Sequence, residues 1–231
     1  MTATTTAPAT PRTEARTPAL LGGGIAAIVF AVTFVLGFLM VSDSPDGDAS
    51  NLKWIRYYAD SGNRRMVVIG VILLTLAAIA FLIFLGILRE WLRGAAAGST
   101  WIATVTFASG VVFVAMVGVF ALGQGSVAAS INFGDAPVPR DADIMRTFVS
   151  AGFGALLLFG ATTAGLLTFT TSLLSGRAGL LPRWLVVSGY VAAVIVFFGG
   201  LLFLPFVLFV LWMLVTGIVM IARSRATAAT V

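Results

Sequence analysis

Asp43, Asp46 and Asp48 crowd into the stretch "DSPDGD", and carboxylates that close together invite a calcium reading. A calcium loop of the EF-hand type needs alternating oxygen ligands, a glycine at its sixth position and a glutamate at its twelfth. The spacing here departs from that pattern, and turn and N-cap roles account for the three aspartates. "GQGS", Gly123 to Ser126, has the outline of a serine nucleophile held in a tight turn. A hydroxyl needs a neighbouring base to attack anything, and the chain has no histidine and no lysine nearby. The expectation is a kinked or frayed outer end of a helix. With neither Cys nor His, disulfides, thiolate nucleophiles, imidazole–metal sites and Ser-His-Asp triads are all excluded. No catalytic, cofactor-binding or metal-ligating residue is therefore assigned, and the chain is expected not to be an enzyme. An enzyme built from it would have to rely on the outer aspartates for acid–base work.

The most polar and aromatic stretch, "SNLKWIRYYADSGNRR" from 50 to 65, holds Lys53, Arg56, Arg64 and Arg65 and two of the three tyrosines. Leu52, Ile55, Tyr58 and Ala59 recur on one helical face, with Lys53, Arg56 and Asp60 opposite. Asp48 or Ser50 can cap the start of this helix and Gly62 can end it. Such a segment is too short and too charged to cross a bilayer. It is expected to lie in the outer interface, with Trp54 and Tyr57 as headgroup anchors, or to cap the bundle as a helix resting on it; the alternative is an irregular loop. The candidate interaction surface is Trp54, Tyr57, Arg64 and Arg65 together with Asp141 and Asp143 from a second outer loop. Arg64 and Arg65 are expected to pair with Asp141 or Asp143.

Deeper polar groups are sparse. The segment "AGFGALLLFGATTAGLLTFTTSLL" carries Thr162, Thr163, Thr168, Thr170 and Thr171, whose hydroxyls can bond carbonyls one turn back, and Ala161 and Gly165 form a small-xxx-small pair for close helix packing. Thr162, Tyr190 and Trp212 are the candidates for an intramembrane polar lining, since the tips of buried Tyr and Trp need partners. No Asp, Glu, Lys or Arg falls deep in an apolar run, which disfavours proton- or voltage-driven work.

The elements that must carry these residues follow from composition. The chain of 231 residues is 59% hydrophobic and 10% charged, against roughly 25% charged in soluble domains. Apolar runs predict an all-α bundle with membrane spans at about 19–41, 66–88, 100–122, 147–174, 184–198 and 203–222. The last two come from one long block divided at Gly199 and Gly200, with Pro205 in the first turn of the new helix. Residues 1–18 are expected to be a flexible tail, and 223–231 a second tail. The run from Ala19 to Val41 is 23 residues long, longer than a signal-peptide core of about 7–15, so an uncleaved span is expected.

With both termini in the cytoplasm, the inner segments hold Arg12, Arg16, Arg89, Arg93, Arg177, Arg183, Arg223 and Arg225 against Glu14 and Glu90. The outer segments hold six basic residues against seven aspartates, the asymmetry of a positive-inside protein. Trp91, Trp101 and Trp184 then fall at the inner boundary. The net charge of +5 is thereby explained without nucleic acid, and the expected location is the plasma membrane.

Taken in order, "VSDSPDGDASNLKWIRYYADSGNRR", "FLGILREWLR", "RDADIMRTF", "AGLLPRWLVVSGYVAAV" and "LPFVLFVLWMLVTGIVM" resemble a group of uncharacterised bacterial membrane proteins, common in actinobacteria and related to a broad six-helix domain family of unknown function. The resemblance implies the six-helix topology and transfers no activity and no site residue. The leading expectation is a non-enzymatic membrane protein, a subunit or scaffold acting through its outer loops. Membrane lipid, and another membrane or extracytoplasmic protein, would be its partners. The alternative is a small-molecule or lipid carrier that uses the bundle interior.

Overall fold

The computed structural model describes residues 16–95, 100–198 and 203–228. Every element among them is helical: α1 (Arg16–Val41), α2 (Asn51–Ala59), α3 (Ser61–Ala95), α4 (Thr100–Phe133), α5 (Ala142–Gly154), a π-helical segment (Ala155–Gly160), α6 (Ala161–Arg177), α7 (Arg183–Phe198) and α8 (Phe203–Ala228). Five helical stretches are long and apolar enough to cross a membrane, and α7 is a shorter apolar helix. At 16 residues, α7 rises about 24 Å, less than a hydrocarbon core of about 30 Å.

The helices run on beyond the apolar stretches expected to cross the membrane. Helix α1 takes in Arg16 and α8 runs on to Ala228, so parts of both expected tails are helical. Helix α3 starts at Ser61 and ends at Ala95, because charged residues at its ends still have good helix propensity. The expected fourth span is one continuous helical path over Ala142–Arg177, with a π-turn in its middle. The "GQGS" segment is not frayed, since α4 passes through it to Phe133. The expected turn at Gly199 and Gly200 lies outside the described residues.

Phenylalanines fill the centre of the bundle. Phe30 and Phe34 of α1, Phe81 of α3, Phe113 of α4, and Phe206 and Phe209 of α8 are each 2% exposed or less. Their rings meet edge-on or tilted, with centroids 4.7 Å apart for Phe30–Phe81 and 5.1 Å for Phe113–Phe209. Such geometries are favoured by the ring quadrupole. Lipid offers no hydrophobic drive for helix association, so backbones must approach closely enough for dispersion to act. A Cβ on Gly24 would lie 2.6 Å from the carbonyl oxygen of Gly217, and one on Gly37 would lie 2.8 Å from that of Gly70. These two glycine crossings seat α1 against α8 and α3. The expected small pair also packs: Ala161 is buried, and Gly165 lies against the Ala193 carbonyl of α7.

Candidate functional site

The cap over one end of the bundle is built around α2. Ser50 is its N-cap, its Oγ accepting from the Lys53 N–H at 3.3 Å, which selects between the two expected caps. The helix ends at Ala59, where Asp60 takes an extended conformation. The Asp60 carboxylate then accepts the Asn63 N–H at 2.8 Å, starting α3. Gly62 therefore sits inside α3 and does not end α2, because an aspartate that breaks one helix and caps the next leaves no need for a left-handed glycine.

The face that α2 buries differs from the one its periodicity suggests. Trp54 and Tyr58, one turn apart, are 1% and 0% exposed, whereas Leu52 is 55% exposed. The two rings enter a second hydrophobic cluster with Val67 of α3, Val127 and Ala128 of α4, and Met145 and Val149 of α5. Trp54 is thus not a headgroup anchor but a wedge into the bundle, its Nε1–H donating to the Asp46 carbonyl at 3.2 Å. The larger aromatic area outcompetes the smaller aliphatic stripe for burial. Tyr57 is half-buried with its ring edge-on to Tyr58. Burial, reinforced by the Asp43 carboxylate, pushes the Tyr57 phenol up to about 12. Tyr58 is raised as well, first by burial and then by Tyr57.

Two arginines hold α2 at its ends. Arg64 donates from Nε to Asn132 Oδ1 of α4 at 2.8 Å, and from Nη1 to the Tyr58 and Ala59 carbonyls at 2.7 and 2.8 Å. These are the last carbonyls of α2, which have no partner inside the helix. Arg146 of α5 donates to the Ala49 carbonyl just before the N-cap, and its other nitrogen pairs with Asp143 at 2.6 Å. The expected pairing of Arg64 or Arg65 with Asp141 or Asp143 is not what forms. Asp143 is taken by the arginine one turn along its own helix, and the Asp141 carboxylate accepts the Asp143 N–H as the N-cap of α5. Arg65 is exposed. Asn132, Arg146 and the burial of Trp54 were missed from sequence, whereas Tyr58 lies on the expected apolar face and is buried. The only signals were the four-residue step from Trp54 to Tyr58 and the three-residue step from Asp143 to Arg146.

A polar pocket of about 570 Å³ opens beside this cap, lined by Ser42, Asp43, Asp46, Lys53, Arg56 and Tyr57 among others. Two carboxylates, an ammonium and a guanidinium thus face one space of a size that suits a small ligand.

The three intramembrane candidates have separate surroundings. Thr162 is exposed on the bundle surface, its hydroxyl donating to the Leu158 carbonyl at 2.6 Å. Tyr190 is half-buried with its ring 5.3 Å from Phe169. Trp212 is buried, and its Nε1–H donates across to the Leu185 carbonyl of α7 at 3.1 Å. Thr168 and Thr170 satisfy their hydroxyls on carbonyls one turn back, as expected. Thr171 does not, and with Ser172 and Ser175 it finds no hydrogen-bond partner among the described residues. The polar residue overlooked in sequence is Gln124. It is 1% exposed, and its amide donates to the Val149 carbonyl of α5 at 3.4 Å. Trp101 and Trp184 are exposed while Trp91 is buried, so only two of the three boundary indoles are free to meet headgroups.

No family model, no curated protein and no solved structure matches this chain. The class is defined by the fold itself: an all-helical bundle whose long apolar helices mark it as a multi-pass membrane protein.

Proposed function

We propose that the protein is a non-enzymatic scaffold or complex subunit of the plasma membrane that presents its α2 cap to a partner on the outer side. In this reading α7 completes six crossings, and both termini are cytoplasmic, as in the six-helix bacterial family that the sequence resembles. The observation that supports it most is the way α2 is fixed. Two buried aromatic rings and two arginine clamps immobilise a nine-residue helix. The exposed charges around it therefore stand on a rigid base, which lowers the entropy cost of recognition. The alternative carrier reading has little support, because phenylalanine rings occupy the bundle centre where cargo would pass.

The test is to exchange exposed charges without touching the clamps, as in Arg65→Glu and Asp141→Asn, the latter keeping the N-cap. Membrane abundance and the neighbours captured by cross-linking would be measured in cells. Normal abundance with a lost neighbour supports the reading. Unchanged neighbours in both variants overturn it.

A further inference from the structure

An apolar groove of about 220 Å³ runs between α1 and α8, lined by Phe34, Val35, Phe38 and Leu39 on one side and by residues such as Val207 and Leu211 on the other. Its α1 wall is two stripes with a four-residue step, Phe34–Phe38 and Val35–Leu39. The next members of those stripes are Ser42 and Asp43, and both line the polar pocket beside α2. The Ser42 N–H still donates to the Phe38 carbonyl at 2.9 Å, so the helical path continues into the pocket. One turn, a rise of about 6 Å, separates purely apolar wall from a wall of carboxylates and cations. That is the polarity profile of one lipid molecule, an acyl chain below and a headgroup above.

We infer that this groove and pocket together hold one glycerophospholipid with an amine-bearing zwitterionic headgroup of the phosphatidylethanolamine type. The pocket carries both signs in balance, Asp43 and Asp46 against Lys53 and Arg56. A zwitterion satisfies both, its phosphate meeting the guanidinium and ammonium and its primary ammonium donating to the carboxylates. Charge-assisted hydrogen bonds of this kind are stronger than neutral ones. An anionic headgroup would leave the aspartates facing a like charge, and a choline headgroup has no N–H to donate. The Tyr57 phenol lines the same pocket and supplies a neutral donor to the phosphate. Other apolar grooves on the bundle surface would hold an acyl chain without selecting its headgroup. This inference goes beyond the scaffold reading and does not depend on a protein partner at the cap.

Native mass spectrometry of the purified full chain in non-ionic detergent, titrated separately with phosphatidylethanolamine, phosphatidylcholine and phosphatidylglycerol, tests it. One phosphatidylethanolamine is expected to bind about tenfold more tightly than either of the others, a difference of about 1.4 kcal/mol. The pair Lys53→Gln and Arg56→Gln should weaken it about tenfold, and Asp43→Asn with Asp46→Asn should abolish the preference over phosphatidylcholine. All four side chains are exposed, and circular dichroism verifies that the variants remain folded. Val207→Phe, which fills the groove, should lower binding of all three lipids while preserving their order. Equal binding of the three lipids, unmoved by the charge variants, would mean annular lipid only and overturns the site. Displacement of the lipid by soluble phosphoethanolamine at similar concentration overturns the role of the groove.

Discussion

Arg64 at the start of α3 reaches Asn132 near the end of α4, Nε to Oδ1 at 2.8 Å, while its Nη1 closes the last turn of α2. One planar side chain thereby joins three helices, and a guanidinium supplies that fork of donors where an ammonium does not. Arg64→Ala should lower the thermal unfolding midpoint in detergent, by the equivalent of about 1–3 kcal/mol for hydrogen bonds to a charged group. Arg64→Lys should recover less than half of the loss. Asp141→Asn, by contrast, should change stability by less than about 0.5 kcal/mol, since Asn caps a helix as well as Asp. A large loss at Asp141→Asn, similar to that at Arg64→Ala, would restore the ion-pair picture that the sequence suggested.

Trp54 and Tyr58 anchor the cap by their rings, yet the Tyr58 hydroxyl is buried with no hydrogen-bond partner among the described residues. Tyr58→Phe should therefore be neutral or stabilising, because a buried unpaired polar group costs about 1–3 kcal/mol. Trp54→Ala should cost about 3–5 kcal/mol in loss of packing. Limited proteolysis between Val41 and Ser61 should report the released helix in Trp54→Ala and not in Tyr58→Phe.

The cap should loosen in alkali. Both Tyr57 and Tyr58 hold their protons more tightly in the fold than the ordinary value of 10.0. Below pH 10 both folded and unfolded chains keep the phenols neutral, and the full stability is present. Above it the unfolded chain ionises first, so stability falls as pH rises towards about 12, the folded value for Tyr57. Spectrophotometric titration of phenolate should show two tyrosines titrating late, and Tyr57→Phe should remove one of them. Two tyrosines titrating with the ordinary value would contradict the burial.

Close crossings of helices should tolerate no added methyl group where backbone blocks it. Gly217→Ala should destabilise the bundle, since the new Cβ would meet the Ala27 Cβ at 2.8 Å and the Gly24 carbonyl at 2.9 Å. Overpacking of this kind costs about 1–3 kcal/mol. Gly86→Ala, where the new Cβ has open space, should be harmless or better, because alanine favours helix. The ratio of folded to aggregated protein after detergent extraction distinguishes the two.

Side-specific labelling checks the proposed topology. The chain has no cysteine, so Asp48→Cys and Arg140→Cys should react with an impermeant thiol reagent in whole cells. Arg93→Cys, Arg177→Cys and Arg225→Cys should not. Reaction at Arg225→Cys alone among the last three would mean that α7 does not cross.

The class of fold was legible because its cause is local. Twenty-odd apolar residues in a row must bond their own backbone in lipid, so Ala19–Val41 announces a helix without reference to anything else. The short α2 was legible too, from its Ser50 cap and its charge pattern, although its end at Asp60 was not. What the sequence could not determine was which side of a helix faces inward when nearly every side is apolar. Phe30 is buried and Val29 is 42% exposed, yet hydropathy scarcely separates them. The choice came from glycine crossings and ring packing with helices distant in sequence. The same held for the cap. Leu52 looks as ready for burial as Tyr58, but Trp54 and Tyr58 are the α2 side chains buried in the cluster that α3, α4 and α5 bring together, with Ile55 and Tyr57 packed against it. Arg64 found Asn132 and not an aspartate because position in three dimensions fixes which acceptor lies within reach. A list of charges cannot carry that information, since an ion pair depends on a distance of a few ångströms that only the packed helices set.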